Sequence, residues 1–523
     1  MQKRSFHIDR SPISLDSIIE YLKEDSIATS IEISEECKKG IEATHKQLVL
    51  MLERSIPIYG VNTGFGDSLF RSIPLQKTAQ LQNNLVSYLM CGVGKKIPRR
   101  ASKATTLFRM ISLTRGYSGV SVELVEAIKD CLEREWVPVI PCQGSLGASG
   151  DLVPLAYVAA MLRGDGEIET PEGIFEAKEL FQKYNKKPYE FKPKEALAIV
   201  NGTSTMCGMG IECLLEAEFL VDIVATGTAW LCMGLKGRTE AFSPLINEKG
   251  KIHSGQAEIA KKIRTLLQEE DYSVLPITQI DSTKNLTNAL VQDRYSLRCT
   301  PQVMGPVLET NTLFRGWLEA EINGVSDNPL IDEEGNLANG GNFYGGYLSQ
   351  GLDYLKISLG HVADLIDRQV TYIVDEKSNR GLPANLAAWN EIPEEDRFLH
   401  HGLKGVHQTI SAVTSEILAK TMPNGSFSRS SESHNQDKVS LGMSAAIQTQ
   451  EILDSLYSIT AMYLVCLTQA LDIQGRELRG SSKNLYEFVR GHVSFVEKDK
   501  SLGFALQKLA KALRERSHQK EPI

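Results

Sequence analysis

The sequence predicts a mainly α protein built as a bundle of long helices, and three observations carry that expectation. Between positions 348 and 373, Leu348, Leu352, Leu355, Leu359, Val362, Ile366, Val370 and Ile373 step by threes and fours, the period of one long helix with a buried stripe. A second run from about Met443 to Leu471, through Ile447, Leu453, Leu456, Ile459, Tyr463, Leu467 and Ala470, turns apolar on more than one face after Tyr457. Such a helix is expected to be surrounded by other helices rather than to lie on a surface. Strand signals are short and isolated, as in VPVIP at 137–141, and no strand–helix alternation argues for a parallel sheet.

No repeat, low-complexity tract or proline-rich linker divides the chain, so boundaries rest on changes of periodicity. They suggest a smaller N-terminal domain over 1–115 and a central helical bundle over 116–523. The 57 basic and 65 acidic side chains leave a formal charge of −8, which gives no footprint for nucleic acid or an anionic membrane. A small soluble ligand is the default partner. Nine cysteines are scattered without a Cys-x-x-Cys or zinc-type pair spacing, so free thiols in a reducing compartment and no metal site are expected. The N-terminus MQKRSFHIDRSPISL lacks the apolar core of a secretory signal, and no uninterrupted apolar stretch reaches the length of a bilayer span. These features point to the cytoplasm.

The segment GSLGASGDLVPLAY from Gly144 to Tyr157 sets three glycines at three-residue spacing around a serine, followed by an acidic residue and a proline. A glycine-rich turn before a helix is one reading. A hydrolase nucleophile elbow is excluded, because Gly-x-Ser-x-Gly would need glycine at Asp151 or at Gln143. A phosphate loop is excluded because no Lys-Ser or Lys-Thr follows. Backbone cyclisation is permitted: the unhindered Gly150 amide can fold back on the Ala148 carbonyl, and glycine tolerates the dihedrals required. Loss of water from the ring and from the Ser149 side chain would leave a 4-methylideneimidazole-5-one group, an electrophile that no unmodified side chain supplies.

GSLGASGDLVPLA resembles the cofactor-forming motif of the histidine, phenylalanine and tyrosine ammonia-lyase family. The resemblance extends through IYGVNTGFG at 58–66, VNGTS at 200–204, QDRYSLRCTPQVMGP at 292–306, SDNPL at 326–330, GGNFYG at 340–345 and HNQDKVSLG at 434–442. It implies the long-helix bundle of that family and a cofactor formed from Ala148, Ser149 and Gly150, with no metal or dissociable cofactor. It also implies a homotetramer whose sites draw on more than one subunit.

Such enzymes remove a non-acidic proton beside an aromatic ring while ammonia departs, which requires an electrophile and a base. The resemblance makes Tyr59 the base, a role that needs its pKa to fall towards neutrality under nearby positive charge or helix N-termini. Positioned acid–base groups supply about 10²- to 10⁴-fold in rate. Ile58 and Val61 also allow Tyr59 to be a core aromatic, whereas Gly60, Gly64 and Gly66 suggest a mobile loop able to close over substrate. Arg298 matches the carboxylate-binding arginine, whose planar guanidinium can make two parallel bonds, with an ordinary ion pair as the competing reading. Asn201 and Tyr295 correspond to residues that hold electrophile and substrate, Gln292 and Asn328 line the site, and Phe343 packs beside the ring. Glu432 matches a glutamate near the substrate amine in phenylalanine and tyrosine enzymes, with Gln436 close by. A helix-start glutamate or cap would account for that segment equally simply.

At the selectivity position in LVSYLMCGVG, histidine and many tyrosine lyases carry histidine and phenylalanine lyases carry phenylalanine; this chain has Tyr88 followed by Leu89. Tyr88 can pack on an unsubstituted ring or bond a substrate hydroxyl. Lys404 in GLKG, as in plant-type phenylalanine lyases, and the absence of the imidazole-binding histidine disfavour histidine. The expected order is phenylalanine, tyrosine, histidine. An aromatic 2,3-aminomutase, which returns the ammonia to give a β-amino acid, is the first alternative. A non-catalytic scaffold is the remote one.

Overall fold

The computed structural model describes residues 5–23, 29–284, 291–389 and 392–519. The fold is mainly α, with 61% helix and 7% strand. Four helices exceed twenty residues: Ser204–Gly234, Thr300–Ile322, Gly346–Val374 and Gly442–Ile473. The last two span the segments that the apolar periodicity selects. Every stripe residue from Leu348 to Ile373 is buried, because the 3.6-residue repeat keeps all eight on one face. From Tyr457 to Leu471 the helix Gly442–Ile473 is buried almost all round, including Thr460, Thr468 and Gln469.

Distant backbone partners satisfy the buried Gln469 amide. Gln469 donates to the carbonyls of Leu386 and Val496 at 3.3 and 2.9 Å and accepts from Val496 N at 3.1 Å. Buried polar atoms without such partners would each cost about 1–3 kcal/mol. Among the described residues one helix, Gly442–Ile473, is long and apolar enough to cross a membrane by length and composition, although polar residues such as Gln448, Glu451 and Asp454 interrupt its apolar run. The helix continues through polar residues that looked like interruptions, and 78% of its apolar window is buried inside the protein, as in a core helix.

Strands are few and short. Ser5–Ile8 pairs in parallel with Ser30–Ile33, Val93–Lys96 pairs with Pro141–Gln143, and Val137–Pro138 joins Glu167–Thr170 and Gly173–Glu176 in an antiparallel sheet. VPVIP is therefore divided: Val137–Pro138 is a strand and Pro141 opens the next.

The chain divides into two compact units, each discontinuous in sequence. The first comprises Met1–Cys213, Phe314–Asp353 and Pro423–Gln448, and the second Leu214–Leu313, Tyr354–Met422 and Thr449–Ile523. Position 115 lies within the first, at the C-cap of helix Arg99–Thr114. In the first unit, Ile58 and Val61 join Leu48, Met51 and Ile331 in a buried apolar cluster that anchors both sides of Tyr59.

Candidate active site

In the first unit, the tripeptide Ala148-Ser149-Gly150 lies in a tight backbone cradle. Gly150 bridges in parallel to Gly202, and the next amide, Asp151 N, donates to Gly202 O at 2.7 Å. Gly150 adopts a φ of +71°, and a Cβ there would lie 2.0 Å from Gly202 O, so both conformation and space demand glycine. Ala148 is buried and Ser149 half-buried. The return segment 440–441 closes the cradle through Ser440 N to Gly147 O at 3.2 Å and Leu441 N to Leu146 O at 3.3 Å.

Asp151 organises this region through its side chain. Fully buried, it accepts from Met206 N at 2.7 Å in the first turn of helix Ser204–Gly234, and from Ser145 Oγ at 2.9 Å. Burial pushes its carboxyl up to about 7, against the lowering effect of the Met206 and Thr205 amides and the Ser145 hydroxyl.

Asn201 follows helix Glu195–Val200. Its Nδ2 donates to Asn328 O at 3.0 Å, while its buried Oδ1 has no hydrogen-bond partner among the described residues. Arg109, wholly buried, donates from Nη1 to Asn201 O at 2.8 Å and from Nη2 to Ser112 Oγ at 2.6 Å. Next to them Lys194 Nζ and Asp327 Oδ2 form a 2.5 Å ion pair in which both side chains are 0% exposed. Burial lowers the pKa of both Lys194 and Arg109, and Asp327 opposes it in each case. Asn328 Oδ1 accepts from Gly340 N at 2.7 Å, so Asn328 is fixed at both ends. Phe343 is half-buried in the single turn Asn342–Tyr344.

The tyrosine loop is assembled differently. Tyr59 Oη accepts from Gly66 N at 2.9 Å, and Glu432 Oε1 accepts from the following amide, Asp67 N, at 2.8 Å. Two successive backbone donors thus hold a phenol and a carboxylate together. Asn435 Nδ2 donates to the other oxygen of Glu432 at 2.9 Å. A Cβ on Gly66, whose φ is +53°, would fall 2.1 Å from Glu432 Oε1, so this glycine serves close packing. The sequence read the same glycines as a sign of mobility. Glu432, Ser433 and His434 have φ values of 52°, 52° and 64°, a run of left-handed residues closed by backbone bonds between Ser431 and Gln436 at 2.9 and 3.2 Å. Strain of this kind concentrates at functional sites.

The phenol of Tyr59 does not follow the expectation of a lowered pKa. Burial raises it first, the Gly66 amide opposes that rise, and the Glu432 carboxylate adds to it. The residues around it bring more apolar surface and negative charge than positive charge. Tyr88 is 57% exposed as a residue, yet its phenol is pushed up to about 12, by burial first and then by Tyr59 and Glu432. Leu89, the last residue of helix Thr78–Leu89, is buried.

In the second unit, Tyr295 and Arg298 occupy the turn Tyr295–Arg298, with the guanidinium 4.5 Å from the Tyr295 ring centroid. Gln369 fixes this turn by donating to Ser296 O at 2.9 Å and Thr300 Oγ1 at 3.0 Å. Arg298 is half-buried and has no carboxylate partner among the described residues, so the ordinary ion pair is not found there. Gln292 is exposed, and Lys404 is exposed at the start of helix Lys404–Ala419. A cation at that end opposes the helix dipole.

Sequence reasoning missed Gln82, Arg109, Asp151, Lys194 and Asp327 as parts of the site. Only Asp151 carried a signal, as the acidic residue directly after the tripeptide. The cradle fits the cyclised cofactor: glycine is obligatory at position 150, and the free buried Asn201 Oδ1 leaves an amide end for it. The Asn328 carbonyl and the Asp327 carboxylate fix the amide orientation, because only Nδ2 can donate to them, so Oδ1 is the free end.

The backbone cradle at Gly150 and the turn that seats a phenol and a carboxylate on successive amides both belong to the first unit. The family model described as aromatic amino acid lyase matches residues 13–491. The chain is 32% identical to a histidine ammonia-lyase of Myxococcus xanthus over 96% of this chain and 95% of that protein. It is 34% identical to a tyrosine 2,3-aminomutase of Myxococcus fulvus over 84% of each. The solved phenylalanine aminomutase of Pantoea agglomerans superposes with a TM-score of 0.91 at 31% identity, over 99% of this chain and 100% of that one. The chain belongs to the aromatic amino acid lyase family, whose relatives include ammonia-lyases and aminomutases, and shares its helical fold.

Proposed function

We propose that this chain eliminates ammonia from an aromatic L-amino acid, phenylalanine before tyrosine, to give a trans-cinnamate-type acid. The observation that carries this reading is the pairing of Tyr59 Oη and Glu432 Oε1 on the successive amides of Gly66 and Asp67, at 2.9 and 2.8 Å. A base and an anion for the substrate ammonium then share one rigid turn. The cyclised Ala148-Ser149-Gly150 group, which Asn201 and the Gly202 backbone would hold, would supply the electrophile.

The remaining roles follow from the chemistry of the side chains. Tyr59 takes the proton from the carbon beside the ring. Its phenol needs a positive neighbour to be competent, because burial and Glu432 alone work against ionisation. Arg298 takes the substrate carboxylate through parallel N–H bonds, with Tyr295 and Gln292 beside it. Tyr88, Leu89 and Phe343 receive the aromatic ring, Asn328 and Gln436 border the amine, and Lys404 with Glu432 biases selection away from histidine. We assign these roles to a cytoplasmic homotetramer whose sites are shared between subunits.

A second reading, a 2,3-aminomutase, is favoured by one finding: the Myxococcus fulvus relative at 34% identity and the Pantoea agglomerans structure are both aminomutases. Incubation with phenylalanine, tyrosine and histidine, reading olefin and β-amino acid by chromatography, tests the assignment. Olefin from phenylalanine exceeding that from tyrosine is expected. β-Amino acid as sole product would replace the lyase with the mutase, and turnover of histidine alone would overturn the substrate assignment.

A further inference from the structure

The tyrosine loop and the asparagine helix are joined by a side chain with no role so far. Gln82, in helix Thr78–Leu89, is 0% exposed. Its Nε2 donates to Gly60 O at 3.0 Å, and its Oε1 accepts from Leu197 N at 3.0 Å. Gly60 directly follows Tyr59. Leu197 lies in helix Glu195–Val200, which leads directly into Asn201. Both partners are main-chain groups that would otherwise be left unpaired: Leu197 N belongs to a first helical turn, and Gly60 O to a turn outside regular structure.

Both ends of the short helix are also fixed independently of Gln82. Glu195 accepts from Ser121 N at 3.2 Å, Ser121 Oγ at 2.6 Å and Lys192 N at 2.8 Å, and Arg109 holds Asn201 O. The Asn201 helix is therefore a fixed reference, and Gln82 is a strut from it to the residue after Tyr59. A primary amide is suited to this, because one planar group donates at one end and accepts at the other.

We infer that Gln82 is a positioning residue for the reaction, setting the distance between Tyr59 and the Asn201 side of the site while leaving cyclisation of the tripeptide untouched. The inference rests on the role proposed above for Tyr59. Two variants test it. Gln82→Leu keeps the volume and removes both bonds. Gln82→Glu keeps the acceptor for Leu197 N and regains a donor to Gly60 O only when the introduced carboxyl is protonated, a form that burial favours.

Gln82→Leu is expected to lower kcat about 10²-fold, the effect of misplacing a catalytic group by roughly 1 Å, with KM little changed and the two-water mass deficit of the tripeptide retained. Gln82→Glu is expected to gain activity relative to Gln82→Leu as pH falls, which loss of packing alone would not produce. Wild-type kcat in a folded Gln82→Leu protein overturns the inference, as does loss of the mass deficit together with activity. If Gln82→Leu does not fold, a Gln82→Glu protein with the wild-type kcat and pH profile overturns it. The wild-type protein is measured alongside: absence of both turnover and mass deficit there would refute the functional reading itself, independently of Gln82.

Discussion

The cradle around Gly150 and the turn around Gly66 both hold reactive groups on backbone donors, yet they are built from different materials. The cradle is closed by buried groups on every side: Gly202, Asp151, Ser440, Asn201 and the Lys194–Asp327 pair. The two groups on the Gly66 and Asp67 amides are less covered: Tyr59 is half-buried, and Glu432 is exposed and reaches Asp67 from a run of left-handed residues. A buried network tolerates little change because each lost bond leaves an unsatisfied partner, whereas an exposed one can exchange its bonds with water. Formation of the electrophile and its use are thus expected to fail separately.

The widest separation is expected between Ser149→Ala and Tyr59→Phe. Ser149→Ala should remove turnover, the near-ultraviolet absorbance of the cofactor and the two-water mass deficit together. Tyr59→Phe should remove turnover and leave absorbance and mass as in the wild type. Intact mass spectrometry beside a turnover assay reads both, and a Tyr59→Phe protein that retains normal activity ends the base assignment.

A smaller effect is expected at Glu432. Glu432→Gln keeps an acceptor for Asp67 N but loses the charge offered to an ammonium, so kcat/KM should fall about tenfold to a hundredfold, from a charged hydrogen bond of roughly 1.5–3 kcal/mol. Steady-state kinetics with the preferred amino acid measure it. An unchanged kcat/KM would leave Glu432 as a loop latch alone.

The smallest effect is one of stability, and it belongs to the cradle. Burial raises the carboxyl of Asp151 from 3.8 to about 7, so between those values the folded chain binds more protons than the unfolded one. Its contribution to stability is present at the low end of that window and is lost as pH rises through it. Urea unfolding at about pH 5 and about pH 8 should show a steeper decline for the wild type than for Asp151→Asn, in which this titration is absent. Identical slopes would mean that Asp151 does not titrate there.

The long helices were legible because a repeat of 3.6 is written into consecutive residues, as from Leu348 to Ile373. The tripeptide and Tyr59 stand in contiguous motifs, so the sequence marks their positions without any long-range partner. Gln82, Arg109 and Lys194 were not legible, since their partners Leu197, Asn201 and Asp327 lie 115, 92 and 133 residues away and leave no local pattern. The glycines of the tyrosine loop carry a second role for a related reason. A glycine signals freedom in a sequence, and at Gly66 only the folded chain reveals that the space was needed by Glu432.

The Lys194–Asp327 pair has a consequence for descent. Removing one member of a buried pair costs about 3–5 kcal/mol, because the other charge is left alone in a dry interior. Neither residue can drift by itself, and a lineage leaves this arrangement only through a double substitution. Around Tyr88, 57% exposed, single changes carry no such penalty. The Asn201 side of the fold therefore requires paired changes where the Tyr88 side admits single ones.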